Sequence, residues 1–172
     1  MTGDYGRQPM VVHLPWPAVV GLDAVAWVVW SAAAGWWTGH WTVARGPAAA
    51  VDGPLLRLRP FEADGAWYQH RLRVKTWKGW LPEAGRAFGG RSKRHLPPGG
   101  EGGLPRFLAE CRRAERTHWL ILAVTPVFAL WNPPGLFLAM VGFALVANVP
   151  CLVVLRYNRA RLLRRIGQAR AA

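Results

Sequence analysis

Two stretches of the chain are almost free of charge. From Gln8 to Ala44 the only Asp, Glu, Lys or Arg is Asp23, and from Trp119 to Leu155 there is none. A helix that crosses a hydrocarbon core of about 30 Å needs about 20 mostly apolar residues. Trp16–Trp37 meets that length, with Trp16 near one end and Trp36-Trp37 at the other, where indole rings favour the lipid–water boundary. Trp119–Leu155 is long enough for nearly two crossings. It is interrupted by Asn132-Pro133-Pro134-Gly135, which stops one helix and permits a reversal, so the pattern predicts a helical hairpin. The second arm, Gly135–Leu155, crosses unaided, whereas Trp119–Trp131 rises only about 20 Å at 1.5 Å per residue. The first arm must borrow from Cys111–His118, which brings Glu115 and His118 near the lipid–water boundary.

Between the apolar stretches the pattern changes twice. Phe61–Trp77 interleaves aromatic and basic residues and reads equally as an interfacial helix or a pair of short strands. Pro82–Gly103 is rich in Gly and Pro, with Gly89-Gly90-Arg91-Ser92-Lys93-Arg94 at its centre, and reads as a loop. Leu104–His118 regains a helical period, with Leu108, Cys111, Glu115, His118 and Leu122 on one face. The expected fold is an all-α integral membrane protein with about three transmembrane helices. Its parts are an N-terminal tail and span (1–37), a basic cytoplasmic or interfacial segment (38–118), a transmembrane hairpin (119–155) and a basic cytoplasmic tail (156–172).

Charge sets the orientation. The 172 residues are 52% hydrophobic and include 11 Trp, yet carry 22 Lys+Arg against 9 Asp+Glu. A disordered basic chain would not hold so much apolar residue. Fifteen of the basic residues lie in 38–118 and six after Leu155, with only Arg7 ahead of the first span and none at the hairpin tip. The positive-inside rule is then obeyed at every loop of a three-span, multi-pass protein of the cell membrane, N-terminus outside and C-terminus cytoplasmic. A cleaved signal peptide is the rival for the first stretch, since Ala32-Ala33-Ala34 offers a small-residue site. Cleavage would send the basic middle segment outward, so the charge pattern favours an uncleaved span. Cys111 and Cys151 suggest neither a disulfide framework nor a metal site.

Several catalytic signatures are missing: G-x-S-x-G, a Walker loop, G-x-G-x-x-G, H-E-x-x-H, and H-x4-D at any of the five histidines. What stands out is Glu115-x-x-His118. At this spacing the two side chains share a helix face, so the carboxylate can hold the imidazole in one tautomer while the other nitrogen takes a proton from a hydroxyl. A surface ion pair or a headgroup-anchored histidine is the competing reading. Arg91, Lys93 and Arg94 amid glycines suit phosphate binding, although a loop beside anionic lipid carries such residues anyway. Nucleic acid is a poor partner, because no groove-reading module accompanies the charge. Polar residues in the apolar stretches, Asp23, Asn132 and Asn148, should face protein or a substrate. Helix–helix hydrogen bonding is the simplest role for Asn148.

The run from Trp77 to Arg161 also resembles a known family. The matching pieces are Lys75-Thr76-Trp77-Lys78 with Leu81-Pro82, Ser92-Lys93-Arg94-His95-Leu96, Arg113-Ala114-Glu115-Arg116-Thr117-His118-Trp119, Trp131-Asn132-Pro133-Pro134, Ala147-Asn148-Val149-Pro150 and Arg156-Tyr157-Asn158-Arg159-Ala160-Arg161. In order and spacing they resemble the glycosyl-4,4'-diaponeurosporenoate acyltransferases of staphyloxanthin-type carotenoid biosynthesis. The resemblance implies transfer of a fatty acyl group from an activated donor to a sugar hydroxyl of a membrane-dissolved carotenoid glycoside or similar lipid. On that basis His118 is the expected base, oriented by Glu115, with Arg156 or Arg159 steadying the oxyanion. The phosphates of an acyl-CoA co-substrate would lie among Lys75, Lys78, Arg91, Lys93 and Arg94. No metal and no resident cofactor is expected, and a homo-oligomer is left open. The competing class is a small non-enzymatic membrane protein that binds anionic lipid or a partner subunit.

Overall fold

The computed structural model describes residues 15–45, 52–62, 64–81 and 103–171. Every element among them is helical: α1 (Trp16–Arg45), a 3-10 turn at Pro60–Glu62, α2 (Ala66–Leu72), α3 (Val74–Trp77), a 3-10 turn at Lys78–Trp80, α4 (Gly103–Val124), a 3-10 turn at Thr125–Leu130, and α5 (Pro134–Ala171). Two helices are long and apolar enough to cross a bilayer: Trp16–Thr42 within α1, with mean hydropathy 1.6, and Pro134–Gln168 within α5, with mean hydropathy 2.4. Only 22% and 28% of their most apolar windows are buried, so neither is the covered core helix of a water-soluble domain. Val25, Val28 and Val29 on α1 and Leu138, Phe143 and Val146 on α5 face outward instead.

The first arm of the hairpin does not join them. Its α-helical part, α4, begins far back in the basic segment and carries Arg106, Glu110, Arg112, Arg113, Glu115 and Arg116. Its apolar end stops at Val124 and tightens into the 3-10 turn. Pro126 has no N–H to return to the carbonyl four residues earlier, so the α-winding ends there. The described fold thus holds two helices of bilayer-crossing character where the charge-free pattern predicts three.

Helices α4 and α5 run back against one another around a core of Phe107, Leu108, Cys111, Leu155 and Leu162. Burying each leucine is worth roughly 1.5–3 kcal/mol. The segment expected to split into span and tail at Leu155 is one helix of 38 residues. No Gly or Pro follows Leu155 until Gly167, and Leu155, Tyr157, Asn158, Arg159, Ala160 and Leu162 are all buried, so packing carries the helix on past the apolar stretch. Helix α1 lies along α4, tied by Trp30 Nε1–H to the Leu120 carbonyl at 3.1 Å and by the Thr38 and Thr117 hydroxyls at 2.7 Å. Trp27 stacks on Phe128 with ring centroids 5.0 Å apart.

For Phe61–Trp77 the structure decides in favour of helix. Helix α2 follows Gly65, whose φ of 76° lies in the left-handed region. A Cβ there would stand 3.1 Å from Arg161 Cγ and 3.3 Å from Tyr157 Cδ2, so both conformation and space call for glycine. Arg73, also left-handed at φ 47°, ends α2 with its N–H on the Gln69 carbonyl and starts α3. Tyr68 and Val74 then pack on Val154 and Tyr157 of α5. The Gly/Pro-rich loop, with Arg91, Lys93 and Arg94, lies outside the described residues.

Candidate active site

His118 lies two turns before the end of α4, half-buried, and its Nδ1 meets Oδ1 of Asn148 on α5 at 2.8 Å. The direction of that bond is set by Asn148 itself. Its Nδ2 donates to the Ala144 carbonyl at 2.8 Å, and a carbonyl can only accept, so Oδ1 is the atom turned toward the ring. An oxygen acceptor requires Nδ1 to carry a proton, so a neutral ring has its lone pair on Nε2. The bond to Asn148 therefore selects, for the neutral ring, the Nδ1–H tautomer.

Glu115, one turn earlier and fully buried, has other partners. Its Oε1 accepts from Arg156 Nη1 at 2.7 Å, and its Oε2 accepts from Arg159 Nη1. The expected arrangement, with Glu115 holding the imidazole, is thus redistributed: Asn148 takes His118 Nδ1, and Glu115 takes the two arginines. The reason is electrostatic. A carboxylate with no exposed surface needs cations and full hydrogen bonding to offset its desolvation, and α5 supplies both.

The same arginines reach further. Arg156 Nε and Nη2 donate to the two oxygens of Glu62 at 2.8 and 2.7 Å, and its Nη2 also reaches the Arg57 carbonyl at 3.1 Å. Arg159 Nη1 donates to the Leu56 carbonyl at 2.8 Å, and its Nη2 to Asp52 Oδ2 at 2.8 Å. Arg112 Nε closes the network on Asp52 Oδ1 at 2.7 Å. Three arginines and three carboxylates from three parts of the chain so pin residues 52–62 to α4 and α5. Burial alone would raise the Glu62 carboxyl. Hydrogen bonds from Arg156, the Arg59 N–H and the Tyr68 hydroxyl outweigh it and hold the group at about 2. Burial, with Glu62 beside it, pushes the Tyr68 phenol well above its ordinary value.

Arg156 and Arg159 are therefore committed to carboxylates. Arg159 is wholly buried, with Nη1 and Nη2 both engaged, so it does not present the open cation expected at an oxyanion. Of the predicted phosphate-binding residues, Lys75 is exposed on α3. Lys78 follows it with Nζ 5.6 Å over the Tyr157 ring. Burial lowers the Lys78 ammonium, and Arg161 and Lys75 lower it further. Asn132, at the hairpin tip, donates to Asp23 Oδ1 at 2.8 Å, and Trp131 Nε1–H donates to the same oxygen at 2.7 Å. Asp23, which sequence reasoning left without a role, anchors α1 to the turn.

Asp52, Glu62, Tyr68 and Arg112 had also escaped notice. A signal existed: in a chain with 22 basic and 9 acidic residues, each acid is a candidate partner for several cations. No periodicity in 52–62 marked which ones would be buried.

The fold and the polar centre between α4 and α5 define a small helical protein with two bilayer-length helices and a histidine on α4 hydrogen-bonded to α5. Residues 53–168 match the family model of the glycosyl-4,4'-diaponeurosporenoate acyltransferases, and the chain belongs to that family. A protein of that name from Staphylococcus haemolyticus is 32% identical over 110 residues, 63% of this chain and 63% of the relative. Another of the same name from Staphylococcus aureus is 30% identical over 104 residues, 59% of this chain and 62% of the relative. The chain so spans a little under two thirds of the curated relatives it matches. No solved structure matches it. The family match takes in Glu62, Glu115, His118, Asn148, Arg156 and Arg159 and leaves out Asp23 and all of α1.

Proposed function

We propose that the protein is a membrane-bound acyltransferase. It moves a fatty acyl group from an acyl thioester, acyl-CoA, to a sugar hydroxyl of a glycosylated carotenoid or similar lipid. Family membership supports the reaction class. The observation that carries the mechanism is the His118–Asn148 bond, whose polarity leaves the lone pair on Nε2.

In this reading His118 Nε2 takes the proton as the acceptor hydroxyl oxygen attacks the thioester carbonyl carbon. The tetrahedral intermediate then collapses with cleavage of the C–S bond, and the imidazolium returns the proton to the departing thiolate. Asn148 steadies the ring throughout, and general-base catalysis of this kind contributes about 10²–10⁴-fold. Glu115, Arg156 and Arg159 act on the framework: they lock residues 52–62 beside the site. Lys75 and Lys78, with Arg91, Lys93 and Arg94 beyond them, supply cations for the donor's phosphates. The acyl chain lies in lipid against the outward face of α5, where Phe143 and Val146 are exposed. If the apolar end of α4 and its 3-10 turn, though short of a full α-helical span, complete a third crossing with the N-terminus outside, both basic segments and the donor lie on the cytoplasmic side.

The experiment is a transfer assay on the purified protein in phospholipid nanodiscs, with long-chain acyl-CoA and a glycosylated carotenoid acid. Ester product should form in step with release of CoA thiol. If wild-type protein yields no product with acyl-CoA or acyl-carrier-protein thioesters across carotenoid and polyprenyl glycosides, the enzymatic reading fails and the lipid- or partner-binding class replaces it.

A further inference from the structure

Residues 57–60 and the last third of α5 enclose an open cavity of about 560 Å³ lined by Arg57, Leu58, Arg59, Pro60, Leu163 and Arg164. None of these arginines was singled out by sequence motif, and none takes part in the chemistry proposed above. We propose that this cavity is a binding site for a phosphate group carried on a partly apolar molecule.

The cavity's wall is held in shape from behind. The carbonyls of Leu55, Arg57 and Leu56 accept from Arg156 at 3.4 and 3.1 Å and from Arg159 at 2.8 Å, respectively. The Arg59 N–H donates to Glu62 Oε2 at 2.5 Å. Backbone polar groups on both sides of Leu58 are thus satisfied by the buried ion network, and the side chains of Arg57 and Arg59 are left to line the cavity. A site whose backbone is already ordered binds without a further ordering cost.

Charge gives the ligand its sign. The carboxylates nearest in the chain, Asp52 and Glu62, are already paired with Arg112, Arg159 and Arg156. Arg57, Arg59 and Arg164 form no ion pair among the described residues, and all three are exposed. The three arginines line the cavity from two segments of the chain, and the planar guanidinium fork suits phosphate oxygens. Leu58, Pro60 and Leu163 add an apolar lining that a free inorganic ion would not use.

Position narrows the source to two. Leu163 lies 15 residues beyond Asn148 on the same helix, about 22 Å along the axis at 1.5 Å per residue. That is within reach of the diphosphate on an extended pantetheine arm if the thioester sits at His118, an assignment that rests on the acyltransferase reading and leaves the separate 3'-phosphate of CoA to the lysines. A phospholipid headgroup at the cytoplasmic end of α5 presents the same chemistry without that reading.

Binding of CoA and of short-chain phosphatidylglycerol to the full chain, measured by titration calorimetry in neutral phosphatidylcholine nanodiscs, separates the two. The triple variant Arg57→Gln, Arg59→Gln, Arg164→Gln should weaken one probe at least tenfold, and the probe affected names the source. Arg164→Gln alone, on the exposed face of an intact helix, should show a smaller loss in the same direction. The same loss is expected in a His118→Ala background, so the site stands or falls apart from the catalytic assignment. Equal binding of both probes by the folded triple variant and wild type, or binding of neither by wild type, would overturn it.

Discussion

One helical turn separates Glu115 from His118, and burial gives them different work. A wholly buried carboxylate between Arg156 and Arg159 is a structural charge. Glu115→Gln leaves Arg159 buried with too little countercharge and should cost about 3–5 kcal/mol, read as a drop in the midpoint of detergent-induced unfolding. Glu62 makes a pH-dependent contribution. Its carboxyl is held at about 2, against an ordinary value of 4.5, so the folded state prefers the ionised form. The stabilisation is full above the ordinary value and is lost as pH falls toward about 2. The stability gap between wild type and Glu62→Gln should therefore narrow steadily between those limits in thermal melts. Sequence spacing could pick out Glu115 and His118 as neighbours on one face. It could not show that arginines more than 40 positions away would claim the carboxylate, because that depends on how α5 docks.

Helix α2 depends on the backbone of one residue. Gly65→Ala forces a left-handed residue to carry a Cβ, at roughly 1–2 kcal/mol, and drives that Cβ against Arg161 and Tyr157. Faster proteolysis within 52–81, with α4 and α5 intact, is the expected outcome. At the other end of the molecule, Asp23→Ala strands the Trp131 and Asn132 donors and loosens α1 from the turn. The unfolding temperature should fall by an amount equivalent to about 1–2 kcal/mol. The two long apolar helices and the turn at Asn132–Pro134 were legible because hydrophobic length and proline act locally. The helical state of Phe61–Trp77 was not, since aromatic and basic residues alternate there without a period, and packing of Tyr68 and Val74 on α5 decides it. The unbroken course of α5 past Leu155 was hidden for the related reason that a change from apolar to basic residues marks a change of solvent, which a helix can pass through.

Most of the excess positive charge lies between the two long apolar helices and in the second half of α5. Arg112, Arg156 and Arg159 are neutralised by Asp52, Glu62 and Glu115, and Arg57, Arg59 and Arg164 are among those placed to meet an anion. A reporter fused to the end of α5 should be cytoplasmic, and a periplasmic signal would contradict the three-crossing arrangement. The account as a whole rests on His118 as the base that joins a thioester to a sugar hydroxyl. Its most direct test is the single-turnover rate of acyl transfer by folded His118→Ala in nanodiscs, with saturating donor and acceptor. The prediction is a loss of at least about 10²-fold with the unfolding midpoint near that of wild type. Transfer at the wild-type rate by that variant would contradict it.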